Sequence, residues 1–185
     1  AVTQRLVTHP AVALIDFTGS NAFGQWVLEH ARQAQVFAEM AGVNTVMIES
    51  TDNYKGLLRN LAFTLSLYSG QMCTTTQALL VPAAGVATPE GTIPFEQVAA
   101  DLGAAIDRFL SDPATALAIL GAIQSDATLR RIDSAPSLGK VVLASRPLEN
   151  PEFPKANVRT PVLLACDAAD EAAWMEERFG PISFV

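Results

Sequence analysis

The sequence predicts an α/β fold with a mainly parallel sheet flanked by helices. Short apolar runs alternate with longer segments whose apolar residues recur every three or four positions. Several of the short runs end in a turn able to cap the helix that follows, as strand–helix units require.

The elements follow in order. Val12 to Phe17 reads as a buried strand that ends at Thr18-Gly19-Ser20, a turn with a helix cap. The helix beyond it places Phe23, Trp26, Val27 and His30 on one face. Residues 35–38 and 45–48 read as two short strands, the second closed by Glu49-Ser50-Thr51-Asp52. A helix then carries Leu57, Leu58, Leu61, Leu65 and Tyr68 at helical spacing and stops at Gly70. Residues 77–81 form another apolar run, and 82–94, rich in Pro, Gly and Ala, reads as a loop. A helix over 95–110 places Val98, Leu102, Ile106 and Phe109 inward, and Asp112-Pro113 breaks it. A helix near 125–134, a strand at 140–144, a proline-rich loop over 146–161, a strand at 162–166 and a helix at 168–175 complete the order. The last residues, Ser183-Phe184-Val185, read as part of a further strand, which suggests a piece of a longer protein.

Half of the 185 residues are apolar, enough for a sizeable core. Only 17% are charged, which fits either an apolar-rich domain or faces covered by a partner. A net charge of -7 argues against nucleic acid, whose binding gains from released counterions only through basic residues. Arg130-Arg131 reads as solvated helix surface. No apolar run reaches membrane-spanning length, and the first residues carry no signal-peptide pattern. Two distant cysteines make no disulfide framework, so the sequence reads as cytoplasmic with reduced thiols. His9 and His30 lack metal-ligand spacing with each other or with a cysteine, and no metal is expected.

Several residues could carry chemistry. Cys73 follows a glycine-terminated helix and precedes Thr74-Thr75-Thr76, small neighbours that leave the sulfur reachable. Nearby backbone N–H groups would favour its thiolate, the reactive form. The alternative is a buried free cysteine. Cys166, in an apolar strand, reads as core packing. Glu39 sits between Val36-Phe37-Ala38 and Met40-Ala41-Gly42, where burial would raise its pKa and suit it to general-base work. It also reads as a strand-end carboxylate facing water. Gly19 to Gly24 forms a Gly-x-x-x-x-Gly turn suited to a phosphate at a helix N-terminus, without the Lys-Ser/Thr ending of a Walker loop. Glu177-Arg178-Phe179-Gly180-Pro181 is a turn that nothing local marks as catalytic.

These pieces together resemble the aldehyde dehydrogenase superfamily. They stand in that family's order: Phe17-Thr18-Gly19-Ser20 with Gly24, Glu39-Met40-Ala41-Gly42, Gly70-Gln71-Met72-Cys73, and Glu177 with Phe179-Gly180-Pro181. Cys73 follows Glu39 by 34 positions, close to the family's usual gap. The stretches 41–46, 67–75 and 179–185 resemble more narrowly a subgroup of bacterial phenylacetic acid degradation. The resemblance implies a catalytic-domain fold of the aldehyde dehydrogenase type. Residues 1–35 would end the nucleotide-binding domain, and 36–185 would form a catalytic domain truncated at its C-terminal end. It further implies Cys73 as nucleophile, Glu39 as base, and NAD or NADP as cofactor, met by Gly19, Ser20, Gly24, Glu177 and Phe179.

The substrate implied is a small aldehyde, CoA-linked in the phenylacetate pathway, and the parent is expected to be a homo-oligomer. The family pattern Glu-Leu-Gly-Gly-Lys is here Glu39-Met40-Ala41-Gly42-Val43, with one glycine and one positive charge replaced. The family's oxyanion asparagine and adenosine-ribose lysine would lie upstream, so the fragment alone is expected to be inactive. Two alternatives stand beside this: a non-catalytic interaction or scaffold module on the same fold, and cofactor-free thioester hydrolysis by Cys73 and Glu39.

Overall fold

The computed structural model describes residues 2–40 and 42–185. Ala41, one of the departures noted above, lies outside the described residues. The chain divides into two compact units, Ala1–Gly42 and Val43–Val185.

The first unit runs α1 (Val2–Val7), β1 (Leu14–Gly19), α2 (Asn21–His30) and β2 (Gln35–Met40). The two strands pair in parallel from Leu14↔Gln35 to Gly19↔Met40. Both alternate between exposed and half-buried residues, because their covered faces meet apolar residues of α2 while their other faces stay open. Ile15 and Val36 pack with Phe23 and Trp26 against buried Val7, Val27 and Ala31. Phe23 stacks on Trp26 at 5.5 Å between centroids, and Trp26 on His30 at 4.4 Å, so the expected helix face is present. The expectation of a fully buried first strand does not hold: Leu14 is 59% exposed, and so is 51% of Phe37 on β2. Because β2 pairs with β1 along its whole length, it belongs to the first unit, although the sequence reading divides the chain after residue 35.

The second unit begins with β3 (Asn44–Met47), α3 (Tyr54–Ser66) and β4 (Thr76–Leu80). A hairpin of β5 (Val86–Thr88) and β6 (Gly91–Ile93) follows. Helices α4 (Phe95–Phe109), α5 (Pro113–Ile119) and α6 (Asp126–Ser134) lead to β7 (Lys140–Leu143). The chain then forms β8 (Pro147–Leu148), β9 (Val158–Arg159), β10 (Val162–Ala165), α7 (Glu171–Trp174) and β11 (Ile182–Phe184). The main sheet has the order β3-β4-β11-β10-β7. Its pairs are parallel except β10 with β7 at the edge. The fold is therefore α/β with a mainly parallel sheet.

Strand β10 shows why its sequence is apolar throughout. Leu163 packs into a core with Leu61, Leu65, Leu102 and Ile106 of α3 and α4. Its neighbours Val162 and Leu164 point the other way, into a core with Ile132, Ala135, Ile182 and Phe184. Alternation still operates, but both faces are covered, so no polar residue breaks the run. Each such fully buried leucine contributes about 1.5–3 kcal/mol relative to an exposed one.

Three expectations change here. Asp112-Pro113 ends α4 but also starts α5: the Asp112 carboxylate accepts from Thr115 N at 2.7 Å, and Pro113 takes the first helical position. The loop over 82–94 contains the β5–β6 hairpin. The last helix shrinks to four residues, Glu171–Trp174. Among the described residues, no helix is long and apolar enough to cross a membrane.

Candidate active site

In the first unit the parallel register brings two of the sequence motifs side by side. Thr18 pairs with Glu39 and Gly19 with Met40, both at the carboxyl ends of their strands. That end is where open parallel sheets bind ligands. Ser20 caps α2, its Oγ accepting from Phe23 N at 3.4 Å. Gly24 is buried, and a Cβ there would lie 2.6 Å from Met40 Cγ. One at Gly19 would lie 2.7 Å from the Phe17 ring. Both glycines thus allow the side chains of β1 and β2 to close over the turn. The expected burial of Glu39 is not found. It falls on the exposed phase of β2, while Val36, Ala38 and Met40 take the covered phase.

In the second unit, the chemistry gathers at the opposite end of the strands. Cys73 lies just before β4, and the Glu177–Pro181 segment just before β11. Helix α3 stops at Ser66, earlier than its apolar pattern suggests. Tyr68, Ser69 and Gly70 then take left-handed backbone angles, with φ of 50°, 52° and 62°. Such angles cost a non-glycine residue about 1 kcal/mol or more. Buried Ser69 offsets part of this by donating its hydroxyl to Gly121 O at 2.9 Å. Gly70 packs on the Gly180–Pro181 peptide so closely that a Cβ would meet backbone. This contact joins the cysteine motif to the Phe179-Gly180-Pro181 motif.

Side-chain amides hold the rest of the loop. Gln71 Nε2 donates to Ala122 O at 2.9 Å, and its Oε1 accepts from Gln124 N at 2.9 Å. Asn44 at the start of β3 donates to Cys73 O at 2.6 Å and Thr75 O at 3.1 Å. Thr75 N donates to Met72 O, closing a tight turn around Cys73. Cys73 is free and exposed at its tip. Cys166 is also free but half-buried, and burial followed by the Asp170 and Asp167 carboxylates pushes its thiol pKa up. Of the two, Cys73 is the more exposed.

Glu177 and Phe179 are both half-buried. Burial raises the Glu177 carboxyl above its ordinary range, and Arg131 partly counters this. Arg131 also donates to the Phe179 carbonyl, and to Thr128 Oγ1 at 3.2 Å. Gln77 on β4 binds the segment from the other side through Trp174 O, Glu176 O and Arg178 N. Sequence reasoning took Arg131 for solvated surface and passed over Asn44, Ser69 and Gln77. A lone amide in the apolar run of β4 was the one available signal, since a buried amide needs partners.

Among the described residues, no group of three or more His, Cys, Asp or Glu could hold a metal ion. Within the first unit, a capped helix N-terminus after a parallel strand is a donor set of the kind that suits a diphosphate.

The strand–turn–helix glycine motif, the thiol loop and the Glu177–Pro181 turn each stand at a strand end of an α/β fold. The aldehyde dehydrogenase family model matches residues 1–185, and the chain belongs to that family. A crystal structure of an NAD-dependent aldehyde dehydrogenase from Burkholderia multivorans is 47% identical and superposes with a TM-score of 0.94, covering 100% of this chain and 33% of that one. Vanillin dehydrogenase of Pseudomonas fluorescens is 27% identical over 100% of this chain and 36% of its own length. A chloroplastic betaine aldehyde dehydrogenase of Beta vulgaris is 28% identical over 96% of this chain and 35% of its own. The chain thus spans about a third of the length of the curated relatives it matches.

Proposed function

We propose that this chain is the thiol-bearing piece of an NAD- or NADP-dependent aldehyde dehydrogenase that oxidises an aldehyde to a carboxylic acid. The observation that carries the reading is the exposed Cys73 thiol, held in a tight turn by Asn44 and Gln71 beside the Glu177–Phe179 segment. In this reading the first compact unit, Ala1–Gly42, ends the nucleotide-binding domain, and Val43–Val185 belongs to the catalytic domain.

The Cys73 sulfur attacks the aldehyde carbonyl carbon, and the carbonyl oxygen takes up a proton, giving a thiohemiacetal. The Cys73 backbone N–H donates to the oxygen as negative charge develops there. When bound, the nicotinamide cofactor supplies the hydride acceptor. Loss of that hydride and the hydroxyl proton leaves an acyl thioester on Cys73. Glu39, exposed at the end of β2, takes a proton from water, which adds to the thioester carbonyl. The carbon–sulfur bond then breaks, releasing the acid and the free thiol. Gly19, Ser20 and Gly24 would meet the cofactor diphosphate, and Glu177 and Phe179 would hold its nicotinamide ribose half.

The substrate we propose is a CoA-linked semialdehyde of bacterial phenylacetate degradation, as for the subgroup PaaN that residues 41–46, 67–75 and 179–185 resemble. The parent protein is then a cytoplasmic homo-oligomer. Aldehyde-dependent NAD(P)H formation by the full-length parent tests the activity. Cys73→Ala is expected to lower turnover by more than about 1,000-fold, because no other group replaces the nucleophile. Wild-type turnover in that variant overturns the reading. Failure of the parent to bind either cofactor supports an interaction module instead.

A further inference from the structure

We infer that Gln77 is a positioning residue for the cofactor, acting through Glu177. This rests on the reading of Glu177 given above and names a residue that reading does not use.

Gln77 lies four residues after Cys73, on β4 in the middle of the sheet's parallel part. It is 5% exposed in a strand otherwise made of threonine, alanine and leucine. An amide in such a place costs stability unless every polar atom is partnered. Here the whole amide is used. Nε2 donates to Trp174 O at 2.8 Å and to Glu176 O at 2.9 Å. Oε1 accepts from Arg178 N at 2.6 Å. Two of the three partners flank Glu177 directly, and they are 99 and 101 positions away in sequence.

The backbone on either side of Glu177 is fixed to the strand that follows the nucleophile, while no hydrogen bond of Gln77 touches the Glu177 side chain. The carboxylate therefore keeps its acceptor capacity for a ligand, with its Cα held in register with the Cys73 loop. α7 is too short to do this itself, being one turn of four residues. Arg131 secures the next point along, at Phe179 O. Gln77 thus converts a short irregular segment into a rigid support, which binding sites need when they are carried by loops.

The test uses the full-length parent and NAD or NADP as the probe. In the cofactor-free protein, Gln77→Met should abolish hydrogen-exchange protection of the Arg178 amide. The same variant should weaken cofactor binding by about tenfold, the scale of lost hydrogen bonds around a ligand group. Alkylation of Cys73 by iodoacetamide should stay within about twofold of wild type, since the Cys73 turn has its own clamps. Glu177→Gln should weaken the same binding, and the double variant should bind no worse than the weaker single one. Gln77→Asn, one methylene short, should give a smaller loss.

Wild-type binding by Gln77→Met, or losses that multiply in the double variant, overturns the inference. So does a Cys73 alkylation rate disturbed equally by the Met and Asn variants, which means general loosening of β4. If Glu177→Gln binds cofactor normally, the reading of Glu177 has failed and this inference falls with it. A Gln77 variant that binds normally beside a defective Glu177→Gln overturns the positioning role alone.

Discussion

Gly24 and Gly70 are both motif glycines, and a Cβ on either would lie 2.6 Å from a carbon atom, yet the obstacles differ. At Gly24 the carbon is Met40 Cγ, in a flexible side chain. At Gly70 it is the Gly180 carbonyl carbon, in backbone, and Gly70 also has φ of +62°. The first glycine serves a packing choice that a rotamer change can remake. The second serves a junction between two chain segments that has no slack. The difference assigns rigidity: the thiol loop and the Glu177–Pro181 turn are locked together, whereas the turn after β1 tolerates adjustment.

Substitution tests this contrast directly. Gly70→Ala should destabilise the protein by at least about 3 kcal/mol, combining left-handed strain with a backbone clash. Gly24→Ala should change stability by no more than about 1 kcal/mol, since the gain in helix propensity offsets the displacement of Met40. Denaturant unfolding of the two variants in the full-length parent measures both. Equal losses would erase the distinction.

A smaller effect sharpens the same region through pH. Burial raises the Glu177 pKa, so the folded state holds that proton more tightly than the unfolded state. Its stabilising contribution is fully present below the ordinary glutamate range and is lost as pH rises through the raised folded value. Glu177→Gln removes this dependence. The thermal midpoint of wild type relative to the variant should therefore fall across that window. A difference that is flat or rises with pH would contradict the burial of the carboxyl.

How much of this could be read from sequence follows from range. The apolar face of α2 and the runs that become β4 and β10 are local patterns, and they appear where expected. The Glu39, Cys73 and glycine-turn motifs are contiguous and are recognisable in order. Asp112-Pro113 was ambiguous because the same pair stops one helix and starts another. Glu39 reads as buried because its neighbours are apolar, but period-two alternation puts adjacent Ala38 and Met40 on the other face and leaves Phe37 exposed beside it. The roles of Gln77, Asn44 and Arg131 depend on carbonyls 29 to 99 positions away, so no local pattern encodes them.

In the function we propose, Cys73 forms a covalent acyl intermediate that Glu39 helps to hydrolyse. Peptide mass spectrometry of the full-length Glu39→Gln variant, quenched after mixing with aldehyde and cofactor, tests it most directly. The expected result is an adduct on the peptide containing Cys73, with the mass of the aldehyde less two hydrogens. An adduct on Cys166, or none on Cys73 while the wild-type protein turns over, would contradict it.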